Sequence, residues 1–550
     1  MWQKESTNKS ALYINLCVEK SKGNLDDIYQ DLRAEINAHK KMKSLYAKCD
    51  EVSRKKRQKA KAYFDERNWE DAIDWYNEAL CFAEKESKSV GLTFAYRSAC
   101  FFNMRLYDRC LIDIQKAIEN NCPKRLVPEL KKRKLSCQKY ITNGMQSEQR
   151  TMQLDFMEDG RFPGMANVVE ITKSADNKHA IIARQNIDVG QIVAIDKGFT
   201  KTLFTIYGWK CVICLKSKTN LVPCKRCTTA MFCHDCDFNL HKYECGMKTS
   251  LYSNFNNHLM QELRTFFVAM NLFADATEMM EFVEQSIGSD QFEIPNTLRD
   301  DRSKYRAFLK LAKNTAESKD VQFPQIVFGV YKILLEIPKV QTMFTSKRHR
   351  RFLMHLVGHH VEINIRQAYV AVEDMEDGNK KVEKRTLYSQ VGVMLGYFHH
   401  SCSPNVWPID RNGDTIYIVI CPIQAGQQLF VSNYSFHWND PTKYYQRMSE
   451  IDCKCERCKG LRPPEAETLA FSSDPDFELI ESCEIRSESD CIDSKRFDIL
   501  KETCVKLLKK YGNMIWCTEL GIVIVVYMHL LKAEMRGIVK SQDILNNNSG

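Results

Sequence analysis

Seven cysteines and two histidines are packed into residues 211–245, in a chain that holds 23 cysteines over 550 residues. Eight of these fall in close pairs: Cys211 with Cys214, Cys224 with Cys227, Cys233 with Cys236, then His241 with Cys245. A Cys-x2-Cys pair presents two thiolates from one tight turn, which suits a single metal ion. Eight such donors suffice for two closed tetrahedral zinc sites, and a closed site is structural because no position is left for a substrate. Far downstream stand Cys453, Cys455 and Cys458, one donor short of a third site. Cys402 apart, twelve cysteines have no such spacing partner, and these read as small buried hydrophobes.

The elements around these groups change character along the chain. Residues 1–50 mix apolar and charged residues without proline and read as helical. Next comes a weak internal repeat. Ala62-Tyr63-Phe64, Trp69, Ala72 and Ala79-Leu80 line up with Cys100-Phe101-Phe102, Tyr107, Cys110 and Ala117-Ile118 at an offset of 38. Small residues at a fixed interval from large aromatics let one helix sit close against the next, which resembles tetratricopeptide repeats. Residues 142–165, with Gly160, Pro163 and Gly164, read as a linker. From Val168 the pattern turns to β, and the cysteine ladder interrupts it. Residues 250–370 return to helix. Residues 372–386 read as a charged excursion with a turn at Asp377-Gly378, and strands resume at Thr415–Cys421 and Gln428–Asn433. A helix is expected before Cys453. A proline-rich break at 461 opens a helical C-terminal region. Its apolar run Leu520–Leu531 is too short to cross a bilayer and reads as a buried element.

The net charge of +9 is uneven: residues 1–140 carry 29 Lys+Arg against 20 Asp+Glu, and the remainder balances at 50 against 50. A basic first region points to an acidic peptide or nucleic acid, or to a solvated helical face. The run Arg54–Lys61, RKKRQKAK, reads as a nuclear signal or as such a face. The polar N-terminus carries no apolar export core, so a reducing compartment, cytoplasmic and nuclear, is expected. The paired cysteines do not follow the C2H2 finger pattern. With the balanced charge outside the first region, this argues against a DNA-binding zinc protein.

The run His399-His400-Ser401-Cys402-Ser403-Pro404-Asn405 resembles the NHSCxPN signature of SET-domain protein methyltransferases. Gly426–Tyr434, GQQLFVSNY, resembles that family's GEELxxxY strand, and Cys453-x-Cys455-x2-Cys458 its post-SET zinc motif. The 211–245 ladder resembles a MYND module. The ordered combination, behind helical repeats, is similar to the repeat-bearing subgroup of the SET and MYND domain-containing (SMYD) family and covers about residues 55–460.

The resemblance implies an α+β multidomain fold. It comprises helical repeats at 1–141, a linker at 142–165 and a split SET domain with its first part at 166–210. The MYND module follows at 211–245, a helical insertion at 246–370, the SET core at 371–440, the post-SET motif at 441–460 and a helical region at 461–550. It implies three zinc ions, with cross-braced MYND ligands. Cys211, Cys214, Cys233 and Cys236 would hold one ion, and Cys224, Cys227, His241 and Cys245 the second. Cys402 would join Cys453, Cys455 and Cys458 for the third. The ladder's last half is shorter than the family's, which makes His234 a candidate substitute ligand.

The same resemblance implies S-adenosylmethionine-dependent methylation of a protein lysine, with Tyr434 as the catalytic hydroxyl. Cofactor contacts fall on Lys178, His179, Ala180, Asn364, His399, His400, Tyr434 and Ile451. Several depart from the pattern: Lys178-His179-Ala180 replaces G-x-G, His399 replaces an asparagine, Gln427 an acid, and Ile451 an adenine-stacking aromatic worth about 0.5–1.5 kcal/mol. The alternative is a weak or inactive SET-fold adaptor that recruits partners through its MYND module and repeats. Expected partners are a protein substrate and the acidic tail of a chaperone. Neither membrane nor nucleic acid is expected, and the chain is expected to be monomeric.

Overall fold

The computed structural model describes residues 47–145, 152–174, 178–204, 210–216, 220–234, 236, 239–245, 256–311, 322–377, 380–411, 413–432, 455, 457–483 and 494–536. Expectations for residues 1–46, for the helix before Cys453 and for the polar end lie outside these. By contact the chain forms two compact units. One holds Met1–Gln149, Gly198–Gly288 and Phe308–Val391; the other holds Arg150–Lys197, Ser289–Ala307 and Gly392–Gly550.

The described strands, in chain order, are β1 (Val169–Lys173), β2 (His179–Ala183), β3 (Ile192–Asp196), β4 (Thr200–Leu203), β5 (Leu221–Pro223), β6 (Met231–Cys233), β7 (Tyr369–Asp377), β8 (Lys380–Val391), β9 (His399–His400), β10 (Val406–Arg411), β11 (Asp414–Val419) and β12 (Gln428–Val431).

The first unit opens with two helical hairpins, Asp50–Asp65 with Trp69–Phe82 and Lys88–Asn103 with Tyr107–Glu119, followed by the helix Val127–Thr142. Helix starts at 50 and 88, and at 69 and 107, both differ by 38. The repeat reaches the backbone. Arg67 and Arg105, in the two intra-hairpin turns, are both left-handed, with φ of 61° and 58°. That conformation is uncommon for a residue with a Cβ, so the same turn is built twice. Ala72, Ala79, Cys110 and Ala117 are fully buried. Gly91 is required, because a Cβ there would lie 2.7 Å from the Cys122 nitrogen. The run Arg54–Lys61 lies on the first helix, where Arg54 pairs with Glu51, Lys56 with Glu78 and Lys61 with Asp65.

Further along this unit, β4, β8 and β7 form an antiparallel sheet, and β5 pairs with β6. The helices Asn256–Met270, Ala276–Gly288, Gln322–Leu335, Pro338–Met343 and Lys347–Gln367 follow the expected helical stretch. Residues 372–386 require a correction. They are no excursion from the fold but the arms of a long antiparallel hairpin, paired from Tyr369↔Gln390 to Asp377↔Lys380.

The second unit carries two sheets, ordered β1-β2-β12-β9 and β10-β11-β3. Strand β12 is antiparallel to β2 and parallel to β9. The helices Glu465–Ser472, Pro475–Glu481, Ser494–Tyr511 and Thr518–Arg536 pack with β10-β11-β3 in one apolar core, including Ile409, Ile416, Ile418, Leu508, Val523 and Tyr527. The run Leu520–Leu531 is thus the largely buried middle of a packed helix. Among the described residues no helix is long and apolar enough to cross a membrane.

Candidate metal centres and the strand junction

Strands β5 and β6 and the short helix His241–Glu244 position the ladder. Cys211, Cys214, Cys233 and Cys236 converge as one group, and Cys224, Cys227, His241 and Cys245 as another, with donor atoms in each group within 4.8 Å of one another. Cys236, not His234, completes the first group. The pairing alternates along the chain because β6 returns antiparallel to β5 and carries Cys233 back beside Cys211, whose Sγ accepts the Cys233 N–H at 3.3 Å.

The spacing suits a tetrahedral ion. At a Zn–S distance of about 2.3 Å, sulfurs of one tetrahedron stand about 3.8 Å apart. Cys214 and Cys233 sulfurs are 3.5 Å apart, those of Cys224 and Cys245 3.9 Å, and Cys227 Sγ is 3.5 Å from His241 Nε2. Hydrogen bonds from Cys214 and Cys233 hold the Cys211 thiol down to about 2. A thiolate held ionised at Cys211 suits a cation. The third group is Cys402, Cys455 and Cys458, with Cys402 and Cys458 sulfurs 3.5 Å apart. Cys453 lies outside the described residues.

The ladder module is anchored to the helical hairpins through buried charge, a feature no spacing announced. Arg97 is fully buried. It binds both carboxylate oxygens of Asp113, donates to Asn77 Oδ1 at 2.5 Å and donates to the Leu221 carbonyl of β5 at 2.9 Å. Asn220 Nδ2 donates to the same Asp113 at 2.7 Å and to the Arg109 carbonyl at 2.9 Å. On the other side, Arg264 pairs with Glu244 at 2.6 Å and donates to the Val212 carbonyl at 3.0 Å.

In the second unit three distant segments meet in one sheet. His399 and His400 pair in parallel with Phe430 and Val431, while Gln428 and Leu429 of the same strand pair with Ile182 and Ile181 of β2. The Ser401 N–H donates to the Val431 carbonyl at 2.9 Å. Asn405 clasps the junction: its Nδ2 donates to the Gln428 carbonyl at 2.9 Å and its Oδ1 accepts the Phe430 N–H at 2.7 Å. Asn405 stood in the sequence signature without an assigned role. Gly392 permits a second brace, since a Cβ there would run into the Asp196 carboxylate, which accepts the Met394 N–H at 2.7 Å.

Of the expected cofactor residues, His179 and Ala180 are buried. The His179 ring meets Tyr397 and Phe292 edge-on, with centroids at 4.9 and 5.6 Å. Burial lowers its pKa, which keeps the ring neutral. The Lys178 carbonyl accepts the Ser174 N–H at 2.8 Å. His399 and His400 are half-buried, and His400 Nε2 lies 3.2 Å from Cys402 Sγ. Asn364 lies in the first unit, where its Nδ2 donates to Glu262 at 2.8 Å and Thr265 at 3.0 Å. Tyr434 and Ile451 lie outside the described residues.

A mixed helix-and-sheet fold with three potential metal centres narrows the class, and similarity in sequence narrows it further. A SET domain-containing protein of Dictyostelium discoideum is 26% identical over 83 residues, 15% of this chain and 21% of that protein. No protein-family model matches the chain. The chain is related more particularly to SET and MYND domain-containing proteins. The protein-lysine N-methyltransferase SMYD4 of Danio rerio is 24% identical over 237 residues, 37% of this chain and 30% of that protein. The protein of the same name in Gallus gallus is 36% identical over 69 residues, 12% of this chain and 9% of that protein. In these matches the chain covers less than a third of each relative's length.

Proposed function

We propose that the chain is a protein-lysine N-methyltransferase of the SET and MYND type, dependent on S-adenosylmethionine and carrying three zinc ions. The observation that supports this most is the junction of β9, β12 and β2. It joins the HHSC segment, the GQQLFV strand and the Lys178–Ala180 hairpin, and it runs directly into the third cysteine group. The names of the relatives point the same way.

The residues present fit a polar ligand. In the second unit Gln428 Nε2 and Ser403 Oγ are buried without a hydrogen bond among the described residues. When bound, S-adenosylmethionine would supply a methyl group already activated on sulfur. The chain's part is to align a neutral lysine amine and keep it dry. In this reading the Tyr434 hydroxyl orients the amine. The Lys178–Ala180 backbone with His399 and His400 contacts the cofactor, as would Ile451. The zinc ions hold the module and the segment after β12 in place.

One observation favours the adaptor reading. Lys178 and Ala180 stand where the family resemblance has glycine, and the His179 ring between them is locked between Tyr397 and Phe292. In that case the cysteine-rich module and the basic repeats recruit protein partners, an acidic peptide tail among them. Titration calorimetry with S-adenosylmethionine separates the two. Binding together with radiolabel transfer to lysine peptides that falls on Tyr434→Phe supports the enzyme. Absence of any binding by metal-loaded protein sinks it.

A further inference from the structure

The charge total places the basic excess in residues 1–140, where several of the cations are held in ion pairs. Arg54, Lys56, Lys61, Arg97, Lys116 and Arg133 each pair with an acid within that region. A different cationic surface stands elsewhere. Between Glu336 and Glu362 there is no acidic residue, while Lys339, Lys347, Arg348, Arg350 and Arg351 all fall in this interval. All five are exposed. None of them forms an ion pair among the described residues, and the only hydrogen bond from their side chains there is Arg350 Nε to the Phe344 carbonyl, at 3.2 Å.

Four of these cations lie in the first two turns of the helix Lys347–Gln367. At 3.6 residues per turn, positions 347, 348, 350, 351, 354 and 355 share one side, and all six are exposed. Leu353, Leu356, Val357 and His360 line the opposite, buried side. His349 points away from the cationic side and meets Thr277 Oγ1 at 3.4 Å. The helix N-terminus is the positive end of its dipole and disfavours cations. Folding alone therefore gives no reason to gather four of them here, and together they make a concentrated positive face.

We propose that this face binds the phosphate backbone of a nucleic acid. Three of the four cations are arginines, whose planar fork matches two phosphate oxygens at once. The six exposed positions lie on one side of a single helix, and a duplex offers both a groove and flanking phosphates to such a side. Phosphate contacts of this kind carry affinity without sequence preference. The expectation from composition that nucleic acid is not a partner came from summing charges. A sum is blind to five cations gathered where no acid interrupts them.

The test uses the full, metal-loaded chain and a fluorescent 20-base-pair DNA duplex, with anisotropy read over a range of KCl. Four contacts predict a slope of about −3 to −4 in log affinity against log salt. The triple reversal K347E/R348E/R351E should weaken binding at least tenfold and flatten that slope. R348A/R351A should fall between the two, and the control reversal K55E/K88E, at exposed positions of the first region, should stay within twofold of wild type. Circular dichroism confirms that each variant is folded. Equal binding by wild type and the triple variant overturns the proposal. So does tighter binding of polyglutamate or of phosphatidylserine vesicles than of duplex at the same salt.

Discussion

Arg97 and Asp113 form a two-pronged ion pair, at 2.7 and 2.8 Å, in which neither side chain is exposed to solvent. The remaining Arg97 donors reach Asn77 and the Leu221 carbonyl, so the pair joins helical hairpins and cysteine-rich module in one network. A fully bonded buried pair is tolerated, but a broken one leaves an uncompensated charge in a dry interior.

Arg97→Met is therefore expected to destabilise the protein by about 3–5 kcal/mol. Asp113→Asn should cost a similar amount. The double change Arg97→Met with Asp113→Leu should recover much of the loss, because both charges go together. Urea denaturation of the three variants checks this. Equal losses in single and double variants would contradict it.

Metal analysis of purified protein should find three zinc ions per chain. A strong chelator should unfold the ladder and loosen the helical hairpins together, because β5 is held by Arg97 and Asn220. Binding at such sites is worth on the order of 10 kcal/mol each. Cys227→Ser should remove one ion and lower the melting temperature. One zinc or none in protein purified without chelator would count against the assignment.

Asn405→Ala should destabilise the strand junction by about 1–3 kcal/mol, since the Phe430 N–H and Gln428 carbonyl would each lose a partner. Asn405→Asp keeps the acceptor but not the donor and should recover part of the loss. Hydrogen exchange at the Phe430 amide reads the effect locally. Unchanged protection in the alanine variant would remove the clasp from the account.

Glu262 gives a pH signature. Burial raises its carboxyl to about 8, partly opposed by the hydrogen bond from Asn364. Its folded pKa is thus above the unfolded one, and the native state holds a proton that the unfolded chain releases. Stability from this group is present below about pH 4.5 and is lost as pH rises towards about 8, at no more than about 1.4 kcal/mol per unit. Glu262→Gln should remove this slope. Comparing the two proteins by urea denaturation at pH 6 and pH 8 is sufficient, and parallel pH dependence would refute the role given to Glu262.

What the chain announced by itself was local. Cys-x2-Cys pairs and the offset of 38 are spacings within one turn or one hairpin, and turn and helix geometry convert such spacings directly into structure. Hence the cysteine groups, the helical hairpins and the buried run Leu520–Leu531 were legible, as was the HHSCSPN run as a motif. Tertiary structure decided what joins them. Arg97 and Leu221 are 124 residues apart, and Phe430 meets His399 in a parallel pair that no hairpin can make. The arms of β7 and β8 read as a charged excursion, and only their antiparallel pairing makes them strands. The cations at 347–351 vanished in a balanced total, because only the folded helix puts them on one face with no acid beside them. Burial and long-range pairing depend on how distant segments close on one another, and no local period records that closure.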